Sequence, residues 1–369
     1  MIHDLLVIGG GITGLGIARL AARNGFSTVL LERGDFASGT SSRSSHMLHG
    51  GLRYLEHGHF TLVRESLAER AVLSRMAPRF AEPRRFVVPL YRGDRLDPWR
   101  LRVGLSIYDA FAGSDAFSHH AMVRAREALA LEPELEPEGL RGAGLYSDVV
   151  MDDARLAVAV ARDAAAHGAR LHSYCEMVGA RPGQQPGTLD VQAHDVLDGG
   201  RLDLTARVVV NATGPWCDAT RIRLARALTP GAPDPAPLLH PSRGIHLVFP
   251  AITRGHALLL GARRDGRVFF VLPFAGLSLV GTTEVETESP PCEGAAQPTV
   301  EEVRYLREEL ERALPMTRRL PPLAVFGGLR PLLDSGGAVG GASREHRIVE
   351  ERGVLSIAGG KYDLSPDGA

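Results

Sequence analysis

Aromatic side chains are scarce in this chain of 369 residues, at 6%, and thiols are scarcer, with cysteine only at Cys175, Cys217 and Cys292. Three dispersed cysteines without a C-x-x-C pair exclude a disulfide-dense scaffold and a thiolate metal centre, and they fit reduced thiols in a cytosolic compartment. Cys217 reads as a buried structural thiol. An excess of charge of one sign is also missing, since 42 basic residues stand against 43 acidic ones. That balance gives no electrostatic footprint for nucleic acid. No apolar run approaches the ~20 residues of a spanning helix, and the chain enters its first strand at once, without a leader. Any membrane contact is therefore expected to be peripheral. Glycine, by contrast, is plentiful at 42 residues, and 44% hydrophobic content is enough for a large core and about two domains.

The glycines are informative by position. Leu5 to Ile8 reads as a buried parallel strand, and Gly9, Gly11 and Gly14 supply the G-x-G-x-x-G turn that opens a helix. In such a turn the first glycine permits the tight bend, the second lets backbone approach a pyrophosphate, and the third lets the helix lie on the sheet. Helical periodicity runs through Ile17, Leu20 and Ala21 to Gly25, and a second strand, Ser27 to Leu31, ends at Glu32. Glu32 stands where an acid accepts hydrogen bonds from a ribose 2'-hydroxyl, with Thr13 and Arg33 beside the same dinucleotide. An acid here selects an adenosine without a 2'-phosphate, so NAD and FAD both fit. The segment after Arg33 favours the longer cofactor: Asp35, Phe36 and a Ser/Gly loop form a polar excursion with no strand signal, leading into a helix near Leu52.

The run DFASGTSSRSSHMLHGGLRYLEHG, Asp35 to Gly58, resembles the second signature of FAD-dependent, quinone-linked glycerol-3-phosphate dehydrogenases, within the D-amino-acid-oxidase-like superfamily. Further segments resemble the same family in the same order: MDDARLAVAVARDAAAHGA from Met151, VVVNATGPW from Val208, SRGIHLVF from Ser242, LVGTTEVE from Leu279, GGLRPL from Gly327 and AGGKY from Ala358. His46 departs from the pattern, because the family usually has lysine there. The resemblance implies FAD as cofactor, held by Thr40, Ser41, Ser42, Arg43, Ser44, Ser45, Gly50 and Gly51 of the loop, by Ala212, Thr213 and Gly214 of the NATG turn, and by Gly359 and Gly360.

The expected class is α/β: a Rossmann-like two-dinucleotide-binding-domain flavoprotein fold with an α+β substrate domain built on an antiparallel sheet. Residues 1–77, 142–228 and 325–369 are assigned to a discontinuous FAD-binding domain, and 78–141 and 229–324 to the substrate domain. A helix covers Thr61 to Met76, Pro78 to Pro98 leaves the cofactor fold, Asp152 begins another helix, and strand Ala206 to Val210 returns to the cofactor. After the Pro-rich linker Thr229 to Pro241, hairpin signals at Asp265-Gly266 and Ala275-Gly276 mark antiparallel strands. Thr299 and Glu302 then form a capping box on a helix that lines up Val303, Leu306 and Leu310.

The implied substrate, glycerol 3-phosphate, is a doubly anionic ester, and arginine grips phosphate oxygens in bidentate fashion. Arg53 in GGLRYLE, Arg330 in GGLRPL and Arg344 in SREHRI are the candidates, Arg344 being the weakest because EHR also suits a plain hairpin edge. Oxidation at C2 requires loss of a hydride to the flavin and of a hydroxyl proton to a base. His49, His246, Tyr54 and Lys361 are the polar partners for that step. His246 either faces the cavity or is a satisfied core histidine, and His49 either takes the proton or serves the flavin. His57, His59, His119 and His120 read as surface residues.

A quinone acceptor, attachment to the inner face of the cell membrane and a homodimer are implied by resemblance. Arg92 to Gly113, with Trp99, Arg100 and Arg102, suits an anionic surface but equally an ordinary packed helix. The family has a Thr-Thr-Tyr-Arg helix start after its Gly-Gly-Lys turn and then a helical domain. Here Asp363 to Ala369 follow Tyr362, a composition that cannot propagate a helix. A two-base deletion within a TACACG run would turn the family's codons into this tail, and the gene sequence tests that. Three readings stay open: an active dehydrogenase, an oxidase of another hydroxy acid or amine, and a truncated, silent FAD-binding chain.

Overall fold

Every one of the long strands expected from apolar patterning forms, and they sort into two sheets. A computed structural model describes residues 1–52, 55, 58, 60–94, 96–115, 117–334 and 346–360. Chain order begins with β1 (Ile2–Ile8), α1 (Ile12–Arg23), β2 (Thr28–Leu31), the two-residue β3 (Met47–Leu48), α2 (Phe60–Met76), β4 (Ala81–Tyr91), α3 (Pro98–Ala112), β5 (Ala121–Arg124), α4 (Ala125–Leu131) and β6 (Leu140–Met151). It continues through α5 (Asp153–Ala166), β7 (Arg170–His172), β8 (Cys175–Pro182), β9 (Leu189–Asp195), β10 (Arg201–Asn211) and α6 (Cys217–Leu228). The last third holds β11 (Ser242–Pro250), β12 (Ala257–Gly261), β13 (Val268–Phe274), β14 (Leu277–Gly281), β15 (Val285–Glu286), α7 (Val300–Ala313), β16 (Ala324–Arg330), β17 (His346–Glu351) and β18 (Val354–Gly359).

The first sheet runs β17-β18-β10-β1-β2-β7, and the β8-β9 hairpin joins it through β9 on β10. Its centre is parallel, with β1 flanked by β10 and β2, and its strands are apolar on both faces, as a sheet covered on both sides requires. On one face α1 and α5 pack Leu15, Ala18, Ala157 and Ala161 against Val7, Leu30 and Val210. On the other, Leu6, Val29 and Val209 meet Met177 and Val191 of the hairpin and Leu224 of α6.

The second sheet runs β15-β11-β14-β13-β12-β4-β6-β3, with β16 on β11 and β5 on β6. Its pairs are antiparallel apart from β4 with β12. Alternation along the strands gives it two faces: Ile245, Leu247 and Val271 pack under Leu306 and Leu310 of α7, while Phe86, Val88 and Tyr146 pack under α2 and α3 through Leu67, Leu101 and Leu105. Both hairpins form at the turns read from sequence, and Ala275 and Gly276 take φ of 49° and 79°, the left-handed pair that a two-residue turn needs.

By sheet membership, two segments assigned from sequence to the cofactor domain stand with the second sheet. Residues 142–151 belong to β6, which pairs along the length of β4, and 325–330 belong to β16, which pairs with β11. Both strands cross between the units, so their apolar pattern alone does not say which sheet they join.

Candidate functional site

A cavity of about 610 Å³ runs from the start of α1 to the surface of the second sheet. At its first end Gly9, Gly11, Thr13, Glu32, Arg33, Thr213 and Gly214 line the wall. Gly11 is the N-cap of α1 and has no side chain of its own to cap it, the first turn holds no acid, and of its N–H groups Ile12 N is taken by Ser41 Oγ. The helix thus presents its remaining N–H dipoles to the cavity, which suits a pyrophosphate. Gly14 does not line the cavity; its role is packing, since a Cβ there would stand 1.9 Å from the Gly9 carbonyl oxygen. Gly10 N donates to Glu32 Oε2 at 2.7 Å and Gly34 N donates to Glu32 Oε1 at 2.7 Å, so the carboxylate is fixed with lone pairs left for a ribose hydroxyl. Trp216, with the Arg33 guanidinium 4.8 Å from its ring centroid, closes the same end. Neither Trp216 nor Arg223, also on the wall, was marked by sequence spacing; Trp216 was visible only as the last residue of NATGPW.

The Ser/Gly loop crosses the cavity. Ser41 Oγ accepts from Ile12 N at 2.9 Å, and Thr40 Oγ1 donates to Leu329 O at 2.6 Å, tying the loop to α1 on one side and β16 on the other. Thr40, Ser41, Arg43, Ser44 and Ser45 line the cavity, as do Ala212, Gly359 and Gly360. Ser42, Gly50 and Gly51 do not.

At the far end, His246 on β11 and Arg330 on β16 face the cavity with His49 and Ser45. The motifs SRGIHLVF, LVGTTEVE and GGLRPL, distant in sequence, are neighbours here because β11 pairs with both β14 and β16. Glycine makes the room: a Cβ at Gly281 would lie 2.3 Å from His246 Cδ2, and one at Gly244 would lie 2.3 Å from Arg330 Nη2. Arg330 donates to Thr282 Oγ1 at 2.9 Å, Thr283 O at 3.1 Å and Ser242 Oγ at 3.3 Å. These three contacts hold the guanidinium toward the cavity.

His246 is 3% exposed, stacks on Phe326 at 5.1 Å, and its Nε2 lies 2.9 Å from Ser45 Oγ. Burial pulls its pKa down to about 3, with Arg330 and then His46 adding to the effect. The imidazole is accordingly neutral near pH 7. Both alternatives read for it from sequence hold in part: it is buried, and it borders the cavity.

His46 takes a left-handed φ of 52° and stacks on Phe274 at 4.2 Å. Its Nδ1 lies 2.8 Å from Asp153 Oδ1, angled so that the contact is electrostatic more than a straight hydrogen bond. Asp153, fully buried, also accepts from Ser44 Oγ at 2.6 Å. Asp152, read from sequence as beginning a helix, caps α5 by accepting from Arg155 N, while Asp153, for which no role was read from sequence, anchors the loop. Arg53, Tyr54, Arg344 and Lys361 lie outside the described residues, as do His57, His59 and the tail from residue 361. Of the histidines read as surface residues, His119 is exposed, but His120 is mostly buried, its Nδ1 2.7 Å from Asp109 Oδ2. Cys217 is buried beside Asp218, and burial pushes its thiol up to about 12, as befits a structural cysteine.

Residues 4–362 match the family described as FAD dependent oxidoreductase. The chain is 36% identical over 382 residues to the mitochondrial glycerol-3-phosphate dehydrogenase of Macaca fascicularis, covering 97% of this chain and 50% of that protein. It is 33% identical over 372 residues to the aerobic glycerol-3-phosphate dehydrogenase of Staphylococcus epidermidis, covering 97% and 64%. Among solved structures, the glycerol-3-phosphate dehydrogenase of Bacillus halodurans complexed with FAD superposes with a TM-score of 0.74 at 30% identity, covering 98% of this chain and 62% of that one. The chain therefore spans about half to two thirds of the length of these relatives.

Proposed function

The chain belongs to the FAD dependent oxidoreductase family, and from that premise we propose that it oxidises sn-glycerol 3-phosphate to dihydroxyacetone phosphate and passes the electrons to a quinone. The cofactor is FAD, and the residues fit it: a helix N-terminus with no acid in its first turn, a fixed acid for the ribose and a hydroxyl-rich loop share one cavity. Bound FAD supplies the hydride acceptor.

The observation that carries the substrate reading is the far end of that cavity, where the Arg330 guanidinium stands beside a buried neutral imidazole. In this reading Arg330 binds the phosphate, joined by Arg53 and, from sequence, Tyr54, Arg344 and Lys361. His246 Nε2 takes the C2 hydroxyl proton, the substrate hydroxyl displacing Ser45 Oγ from that nitrogen, or His49 does. A bound dianion offsets the Arg330 charge, one of the causes holding the His246 pKa down, so that the base strengthens as substrate binds. The division into a discontinuous FAD domain and a substrate domain belongs to the same proposal, as do attachment to the inner face of the cell membrane and a homodimer. No helix among the described residues is long and apolar enough to cross a membrane.

The test is an anaerobic flavin spectrum. Purified protein should be yellow and should bleach with glycerol 3-phosphate, but not with glycerol or 2-hydroxyglutarate, and a soluble quinone should restore the colour faster than oxygen does. Bleaching by a hydroxy acid or amine instead would replace the substrate, and a colourless protein that takes up no added FAD would sink the reading.

A further inference from the structure

We propose that Arg70, Tyr108 and Asp148 form a buried latch that positions the turn at Gly50, and through it the His49 side chain in the cavity; the catalytic consequence rests on the flavin-linked oxidation proposed above. The three residues come from α2, α3 and β6 and are 1%, 2% and 1% exposed. Gly50 N donates to Tyr108 Oη at 2.9 Å and, at longer range, to Asp148 Oδ1 at 3.4 Å. Tyr108 Oη in turn donates to Asp148 Oδ2 at 2.8 Å, and Arg70 Nη1 donates to Asp148 Oδ1 at 3.1 Å and to Ser147 O at 3.2 Å. The backbone is pressed into this site, since a Cβ on Gly50 would lie 2.3 Å from Leu67 Cδ2 and 2.5 Å from Tyr108 Oη.

Stability alone does not account for such a cluster. Desolvating an arginine and an aspartate costs about what their attraction returns, and apolar replacements of buried ion pairs are often as stable or more so. Arg70 Nε has no hydrogen-bond partner among the described residues, a further cost. What the network supplies is one geometry. Met47 and Leu48 are held in register with Val150 and Val149 of β6, and Gly50 N is held by Asp148 on the same strand and by Tyr108. His49 sits between these two fixings and lines the cavity. Its backbone therefore has no slack on either side, which is what a side chain acting on a substrate atom requires. Arg70, Tyr108 and Asp148 do not line the cavity and act through Gly50, so they are positioning residues.

Tyr108→Phe on the FAD-loaded protein tests this, because it removes the hydroxyl and keeps the ring. The amide of Gly50 should be slow to exchange in the wild type, and in Tyr108→Phe the peptide containing it should exchange at least ten-fold faster. With glycerol 3-phosphate, kcat should fall about ten-fold while KM changes less than three-fold, with FAD content and reduction by dithionite unchanged. In a His49→Ala background Tyr108→Phe should cost nothing further, the sign of two residues acting as one unit. A fast-exchanging Gly50 amide in the wild type, or an effect of Tyr108→Phe that simply multiplies with that of His49→Ala, overturns the latch. If the wild type is not reduced by glycerol 3-phosphate, the proposed function fails instead, and the exchange measurement still decides whether the latch exists; it needs no variant to fold.

Discussion

Arg330 lines the cavity, and two hydroxyls and a carbonyl are among the groups that fix its guanidinium. If it binds phosphate there, Arg330→Ala should weaken binding of glycerol 3-phosphate by about 2–5 kcal/mol, read as a rise in KM with FAD content intact. An unchanged KM would remove it from the pocket. His246 gives a prediction of a different kind. Its folded pKa lies near 3 against about 6.5 in the unfolded chain, so between those values the unfolded state binds the extra proton. The neutral imidazole therefore contributes stability that is complete above pH 6.5 and is lost as pH falls toward 3, amounting to about 2 kcal/mol between pH 7 and pH 5. Urea midpoints at the two pH values should differ less for His246→Asn than for the wild type. Both residues were named from sequence, because each sits in a motif; Asp153 and Tyr108 were not, because a lone acid at a helix start and a lone tyrosine in an amphipathic helix carry no spacing signal.

Elements position these residues, and α7 shows how. Thr299 Oγ1 accepts from Glu302 N at 3.3 Å and Thr299 N donates to Glu302 Oε2 at 3.2 Å, the capping box expected from sequence. Glu302 does more than cap. Its Oε1 accepts from Thr283 Oγ1 at 2.7 Å, its Oε2 lies 2.9 Å from Arg243 Nη2, and Thr283 Oγ1 accepts from Ile245 N, next to His246. Thr299→Ala should therefore cost about 1 kcal/mol, the usual value of a cap. Glu302→Ala should cost about 3 kcal/mol or more, because it removes the carboxylate partner of the part-buried Arg243 and the acceptor of the buried Thr283 hydroxyl. Chemical denaturation of the two variants checks the ratio; equal losses would mean that Glu302 acts as a cap only.

At the scale of the molecule, the unfilled surface is as informative as the filled. A mainly apolar trough borders α1, α2 and the first sheet, with Leu20, Val208 and Ile348 on its wall. Ile348 is 55% exposed and Val208 is 38% exposed, on strands whose class of sheet is normally covered on both faces. Contiguous exposed apolar surface of this kind drives association. The double variant Val208→Lys, Ile348→Glu should lower concentration-dependent light scattering at unchanged FAD content, and equal scattering would show that this face is not responsible.

By itself the sequence determined the dinucleotide unit, the antiparallel hairpins, the capped helix and the family, because each depends on residues close together: glycines within one turn, an acid at the end of the next strand, apolar side chains at helical or alternate spacing. Only the tertiary structure decided which sheet β6 and β16 join, that His246 is buried and neutral, that Arg330 reaches the same cavity, and that Asp153 and the Arg70–Tyr108–Asp148 cluster hold the loop. Those outcomes depend on burial and on contacts between residues far apart in the chain, such as Gly50 with Asp148 and Ser45 with His246, and no local pattern encodes either.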